Sequence, residues 1–129
     1  MLTGLLVVSL LSFTEPSKRV VYFMDFRAET FTAVTRKSIH RDRGLVDRHT
    51  WSTVLSQLRK VTAPHSPQKR KLNEDKLRLM LEESKGRAWF VDQSGFVLKY
   101  DGSSGTLDKQ GLRRLNDELI RAFSYSASK

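Results

Sequence analysis

Two short apolar runs, Ala88–Val91 and Phe96–Tyr100, stand on either side of Asp92-Gln93-Ser94-Gly95. Apolar runs rich in aromatic and β-branched residues, joined by a short segment of turn formers ending in glycine, specify an antiparallel hairpin. A hairpin late in the chain commits the fold to a sheet. Arg19–Phe26 (Arg-Val-Val-Tyr-Phe-Met-Asp-Phe) supplies a third strand, largely buried because Asp25 is its only acid. Pattern alone does not say whether it pairs parallel or antiparallel with the hairpin.

The remaining periodic segments predict helices. Ala28–His40 places Phe31, Val34, Ser38 and Ile39 at helical spacing. Arg41–Arg48 is then a charged connection containing Gly44. In Thr50–Val61 the residues Trp51, Val54, Leu55, Leu58 and Val61 form one stripe behind a Thr50 cap. Asn73 has the chemistry of an N-cap, with Glu74 and Asp75 in the first turn and Leu72 and Leu77 as a staple. Leu77, Met80 and Leu81 would face inward there, and Gly86 would end the helix. Asp108–Phe123 is amphipathic, with Leu112, Leu115, Leu119, Ile120 and Phe123 on one side. Asp101–Gly105 reads as a loop and Ser124–Lys129 as a frayed tail. The expected architecture is α+β: a small sheet with a hairpin in its C-terminal half, packed against three to four helices. Residues 18–129 form a single domain, interrupted at 62–71 by a basic linker in which Pro64 and Pro67 flank His65 and Ser66.

Charge divides this domain unevenly. The net charge is +9, and residues 18–71 alone hold thirteen basic against four acidic side chains, while 72–129 hold ten against nine. Such asymmetry suits an anionic partner, whether nucleic acid, a membrane surface or an acidic protein face; the alternative is a solvated basic face that aids solubility. Arg36, Lys37, Arg41, Arg43 and Arg48 form one basic cluster, and Arg59, Lys60, Lys69, Arg70 and Lys71 a second around the linker; the candidate anion contacts are the first five with Lys69, Arg70 and Lys71. Trp51, Phe31 and Tyr22 occupy core-like positions, so no stacking platform accompanies the charge. No helix-turn-helix, zinc finger or RRM-type motif is present.

Residues 1–17 form an apolar leader, uncharged from Leu2 to Phe13 and ended by Glu15, Pro16, Ser17, Lys18 and Arg19. Twelve helical residues rise about 18 Å, short of the roughly 30 Å hydrocarbon core of a bilayer. Three readings stay open: a short or upstream-truncated membrane anchor, a signal peptide without its basic start and cleavage site, or a buried first element. As an anchor with basic residues only after it, the segment would place the domain in the cytoplasm; basic residues further upstream would reverse that.

Catalytic patterns do not emerge. With no cysteine, disulfides, zinc–thiolate sites and thiol catalysis are excluded. His40, His49 and His65 match no metal-ligand spacing and read as surface residues. No Gly-x-Ser-x-Gly elbow occurs, and Gly102-Ser103-Ser104-Gly105 lacks the Gly-Lys-Ser/Thr end of a phosphate loop. Asp92, Asp101 and Asp108 are explained by turns and a helix start. The chain is read as non-enzymatic, without cofactor or metal.

Val20-Val21-Tyr22-Phe23-Met24-Asp25 with Thr30-Phe31, and Ala88-Trp89-Phe90-Val91 through Val97-Leu98, follow an apolar leader in a layout that resembles the TrbI proteins of F-type conjugative type IV secretion systems. The family's late Gly-Ala-x-Asp-Ile-Thr pattern is represented only by Gly105-Thr106-Leu107-Asp108, and the basic linker has no counterpart. The resemblance implies a bitopic inner-membrane protein facing the periplasm that assists pilus assembly or retraction through contacts with other protein subunits. It carries over no functional residue. The expected function is therefore a membrane-anchored or exported accessory subunit of an envelope assembly; the alternative is a nucleic-acid-binding domain using residues 18–71.

Overall fold

The structure, a computed structural model, describes residues 18–63 and 71–125. The leader, Lys69, Arg70 and most of the proline linker lie outside the described residues. In chain order the elements are β1 (Lys18–Phe23), a 3-10 turn (Ser38–Asp42), β2 (Arg43–Asp47), α1 (Arg48–Val61), β3 (Leu77–Ser84), β4 (Arg87–Asp92), β5 (Phe96–Leu98), β6 (Ser104–Thr106), α2 (Lys109–Ala122) and β7 (Ser124–Tyr125). The strands make one antiparallel sheet in the order β6-β5-β4-β3-β1-β2-β7. The α+β class is as expected, with two α-helices among the described residues in place of three to four.

The hairpin forms where the turn signal put it, with Phe90 opposite Leu98 and Val91 opposite Val97. Buried Asp92 closes it. One carboxylate oxygen accepts from the Ser94 amide (3.0 Å), the Ser94 hydroxyl (2.7 Å) and the Phe96 amide (3.1 Å), and the other from the Asn73 amide (2.9 Å). A carboxylate in that position organises two loops and leaves little for chemistry.

Three expected elements are corrected. Asn73 caps a turn, not a helix: its side-chain oxygen accepts from the Asp75 amide at 3.1 Å, and the chain then enters β3. Leu77, Leu79, Met80 and Leu81 are all buried, which one helical stripe could not achieve. In the middle of the sheet both faces are covered. The pairing skips Arg78 between Leu77↔Asp92 and Leu79↔Val91, a bulge that sends Leu77 to one face and Leu79 to the other. Second, Ala28–His40 is irregular. Ser38 and Thr35 exchange hydrogen bonds (2.7 and 3.2 Å), and Thr30 Oγ1 donates to the Thr32 carbonyl (2.9 Å). Such local bonds compete with the helical ladder. The excursion folds over the sheet, seating Val34 and Ile39 on Met80 and Phe90, but leaves Phe31 fully exposed, outside the core expected for it. Third, Arg41–Arg48 contains β2, where Gly44 is needed because a side chain there would overlap the Phe123 ring.

Both helices lie on one face of the sheet. Trp51, Val54, Leu55 and Leu58 of α1 and Leu115 and Leu119 of α2 pack on Val21, Phe23, Val46, Leu79, Leu81, Trp89, Val91 and Val97. The α1 cap is Asp47, which accepts from the Thr50 amide at 2.7 Å; Thr50 itself is buried. Asp108 caps α2 through the Gly111 amide. Ile120, expected inward, is 43% exposed. Ser124 and Tyr125 pair with β2 where a frayed tail was expected, and residues 126–129 lie outside the described set. Among the described residues no helix is long and apolar enough to cross a membrane.

Candidate functional site

At the end of β1 the chain turns sharply, the Ala28 amide donating to the Asp25 carbonyl at 3.0 Å. Three side chains pin this turn. Asn116, 4% exposed on α2, accepts from the Phe26 amide (2.9 Å) and donates to Asp25 Oδ1 (3.0 Å). Gln93 donates to the Phe26 and Ala28 carbonyls (3.2 and 3.0 Å). Arg78, buried in its bulge, donates to the Leu77 and Ala28 carbonyls (2.9 and 2.8 Å). Burial lowers the Arg78 pKa from its ordinary value, against the pull of Glu29 and Asp42.

Asp25 in turn holds Arg27, accepting from Nε at 3.1 Å and from Nη2 at 2.9 Å. The Arg27 guanidinium keeps the Asp25 carboxyl well below the usual carboxylate range, with help from the Arg27 amide and Asn116 and against partial burial. A carboxyl with a depressed folded-state pKa stabilises the fold at pH values above its unfolded value of about 3.9, and that contribution is lost as pH falls below it. Asp25→Asn is therefore expected to be less stable than the parent at neutral pH and to show a shallower loss of stability between about pH 4 and pH 2. Urea unfolding across that range checks this; parallel pH profiles would disprove it. Arg27 is largely exposed, so the difference will be modest.

Between this turn and α2 lies an open cleft of about 470 Å³ with Phe26 and Leu112 at its base and Arg27, Lys109, Arg113 and Asp117 around it. A second, of about 330 Å³, separates the C-terminal end of α1 from the N-terminal end of α2 and is edged by Gln57, Lys60, Gln110 and Arg114. The two clefts flank the first half of α2. Together the helices carry seven Lys and Arg residues and only two acids, Asp117 and Glu118. Arg59 pairs with Glu83 (3.4 Å) and Arg121 with Glu118 (3.1 Å). Lys60, Lys109, Arg113 and Arg114 make no ion pair among the described residues.

The residues expected to contact anions do not converge. Arg36 is engaged by Glu74 (2.8 and 2.7 Å) and lies 4.1 Å over the Phe90 ring. Lys37 and Arg41 ride on the excursion that covers the sheet face opposite the helices. Arg43 alternates with Gly44 and so turns to that same opposite face, while exposed Arg48 opens α1 on the other. Lys71 is exposed beside Leu72, which packs on the Val34–Ile39 cluster. Among the described residues expected to contact anions, only Arg48 belongs to the helical layer. Lys109, Arg113 and Arg114 were hidden by the near balance of charge in the second half of the chain; the available signal was that both acids of α2 follow these three residues, so its first half is purely basic.

His40 stacks on Tyr22 with ring centroids 4.5 Å apart, and His49 is exposed. Among the described residues no group of three His, Asp or Glu side chains could hold a metal ion. Among the described residues, fold and site define a seven-stranded antiparallel sheet with a basic two-helix layer on one face. Compared with protein-family models, curated proteins and solved structures, the chain matches none.

Proposed function

We propose that this chain is a non-catalytic docking subunit of a cell-envelope assembly, held at the membrane by its apolar residues 2–13 and contacting an acidic protein partner through its helical layer. The observation that carries the reading is that layer: seven basic residues against two acids, with an apolar-based cleft set into it. Protein interfaces need an apolar centre ringed by polar groups, and the cleft supplies one. The position also suits an anchored domain. The leader joins β1 at Lys18, whereas Phe26 and Arg27 follow the strand's other end, about 20 Å away for six extended residues. A domain tethered at Lys18 would present the cleft away from the bilayer. The TrbI resemblance supports a conjugative type IV secretion or pilus system as the assembly, with the domain on the periplasmic side of the inner membrane.

A second reading, a nucleic-acid-binding domain, is favoured by the same charge, since phosphate attraction needs no apolar centre. A photo-crosslinking amino acid at exposed, uncharged Gln110, in the full chain in its own cells, separates the two. The docking reading expects protease-sensitive, nuclease-resistant adducts in the membrane fraction, absent when the crosslinker replaces Glu82 of β3. Nuclease-sensitive adducts would replace it with the nucleic-acid reading.

A further inference from the structure

We propose that the cleft at Phe26 and Leu112 takes a short peptide segment of the partner in which a large apolar residue is preceded by acidic ones. This rests on the docking reading above and adds the chemistry of what is docked. Lys109, Arg113 and Asp117 are successive i, i+4 positions on α2, so one wall of the cleft runs positive, positive, negative. Arg27, its guanidinium held by Asp25, also lines the cleft. The cleft therefore has polarity. Carboxylates are attracted at the Lys109 and Arg113 end and repelled by Asp117, whose oxygens suit a peptide N–H. Phe26 and Leu112 form the seat for an aromatic or branched aliphatic side chain, which the volume of about 470 Å³ accommodates with its flanking backbone.

The site is also preorganised. Asp25 fixes Arg27, Asn116 fixes Asp25 and the Phe26 amide, and Asn116 itself is buried on the same inward face of α2 as Leu112, Leu115 and Leu119. Binding would therefore order few groups beyond the Lys109 and Arg113 side chains. A phosphate backbone, by contrast, would follow charge across both helices and make no use of the apolar seat.

The test is a titration of the full chain, isotope-labelled in detergent micelles, with acetyl-Glu-Glu-Phe-Leu-amide, followed by amide shifts. Shifts should concentrate at Phe26–Ala28 and Gly111–Asp117. Replacing both glutamates of the peptide with glutamine, or its Phe and Leu with alanine, should each weaken binding about fivefold or more. Lys109→Glu combined with Arg113→Glu should abolish binding of the acidic peptide and restore it for acetyl-Lys-Lys-Phe-Leu-amide. Both positions are exposed, so this variant keeps its fold. No peptide-dependent shift at millimolar concentration, an equal affinity for the glutamine peptide, or shifts confined to Arg48–Lys60 would overturn the site. Protein adducts at Gln110 together with any of those results would leave the docking subunit standing without this ligand. Nuclease-sensitive adducts would remove both.

Discussion

Alanine at Trp89 is expected to destabilise the domain by about 3–5 kcal/mol, a large share of the roughly 5–15 kcal/mol that holds a domain of this size together. Trp89 is fully buried on the helix-covered face of β4, paired across the sheet with Leu81. Its Nε1–H donates to Glu83 Oε1 at 3.0 Å, and its ring meets Tyr100 edge-on at 6.5 Å with Lys99 Nζ 5.3 Å away. Truncation opens a void in a core that rigid strands cannot collapse, and it leaves Glu83 only the longer contact with Arg59. The urea midpoint should fall by about 1–3 M with an unchanged slope, Trp51 remaining as the fluorescent reporter. Trp89→Phe keeps the ring but loses the donor, so it should recover more than half of the loss. A shift below about 1 kcal/mol for the alanine variant would show that β4 does not centre the core.

What was legible in the chain was local and strongly signalled. The hairpin could be read because Asp92-Gln93-Ser94-Gly95 specifies its turn without tertiary help, and α2 because Asp108 caps a clean apolar stripe. Leu77–Leu81 could not. An apolar run broken only by Arg78 fits a buried helix or a central strand equally, and Asn73-Glu74-Asp75 ahead of it satisfies helix-start chemistry. Only the cover available on both faces, from α1 and α2 on one side and Val34 and Ile39 on the other, decides for the strand. β2 was hidden for the opposite reason: Leu45 and Val46 are its only large apolar residues, and its pairing with β1 is what makes it a strand.

The candidate site was the least legible part. Counting charge along the chain sorted it into halves, whereas the fold takes one helix from each half. Lys60 and Arg114 edge one cleft although 54 positions separate them. Their meeting depends on α1 ending against β6 just before the chain turns into α2, which no local pattern encodes. Among the described residues, the basic side chains that do cluster in the sequence are instead divided between the two sides of the sheet.

That junction makes Gly105→Val the second large effect, with a loss of about 3 kcal/mol or more expected. Gly105 sits opposite Val97 in β6, on the face where α1 ends. A Cβ built there would overlap the carbonyl oxygen of Val61 and come within 3.2 Å of Thr62 Cα. The helix end cannot simply step aside. The Ala63 amide donates to the Ser104 carbonyl at 3.0 Å and the Ser104 amide to the Ala63 carbonyl at 3.3 Å, tying the segment after α1 to β6. The obstacle is backbone and not a flexible side chain, so Gly105→Ala should already be clearly destabilised and valine more so. Gly102→Ala is the informative comparison. It has a φ of +93° with nothing near its Cβ position, so it should cost about 1–2 kcal/mol from conformation alone. Urea midpoints should therefore fall in the order parent, Gly102→Ala, Gly105→Ala, Gly105→Val. Amide hydrogen exchange at Leu58–Val61 should accelerate in Gly105→Ala and stay unchanged in Gly102→Ala, because only the former lifts α1 from the sheet. The same displacement would carry Lys60 away from Arg114 and widen the cleft between the helices while leaving the Phe26 and Leu112 seat in place. If Gly105→Ala matched the parent in both measurements, the close seating of α1 on β6 would be wrong, and with it the convergence of charge that forms the basic layer.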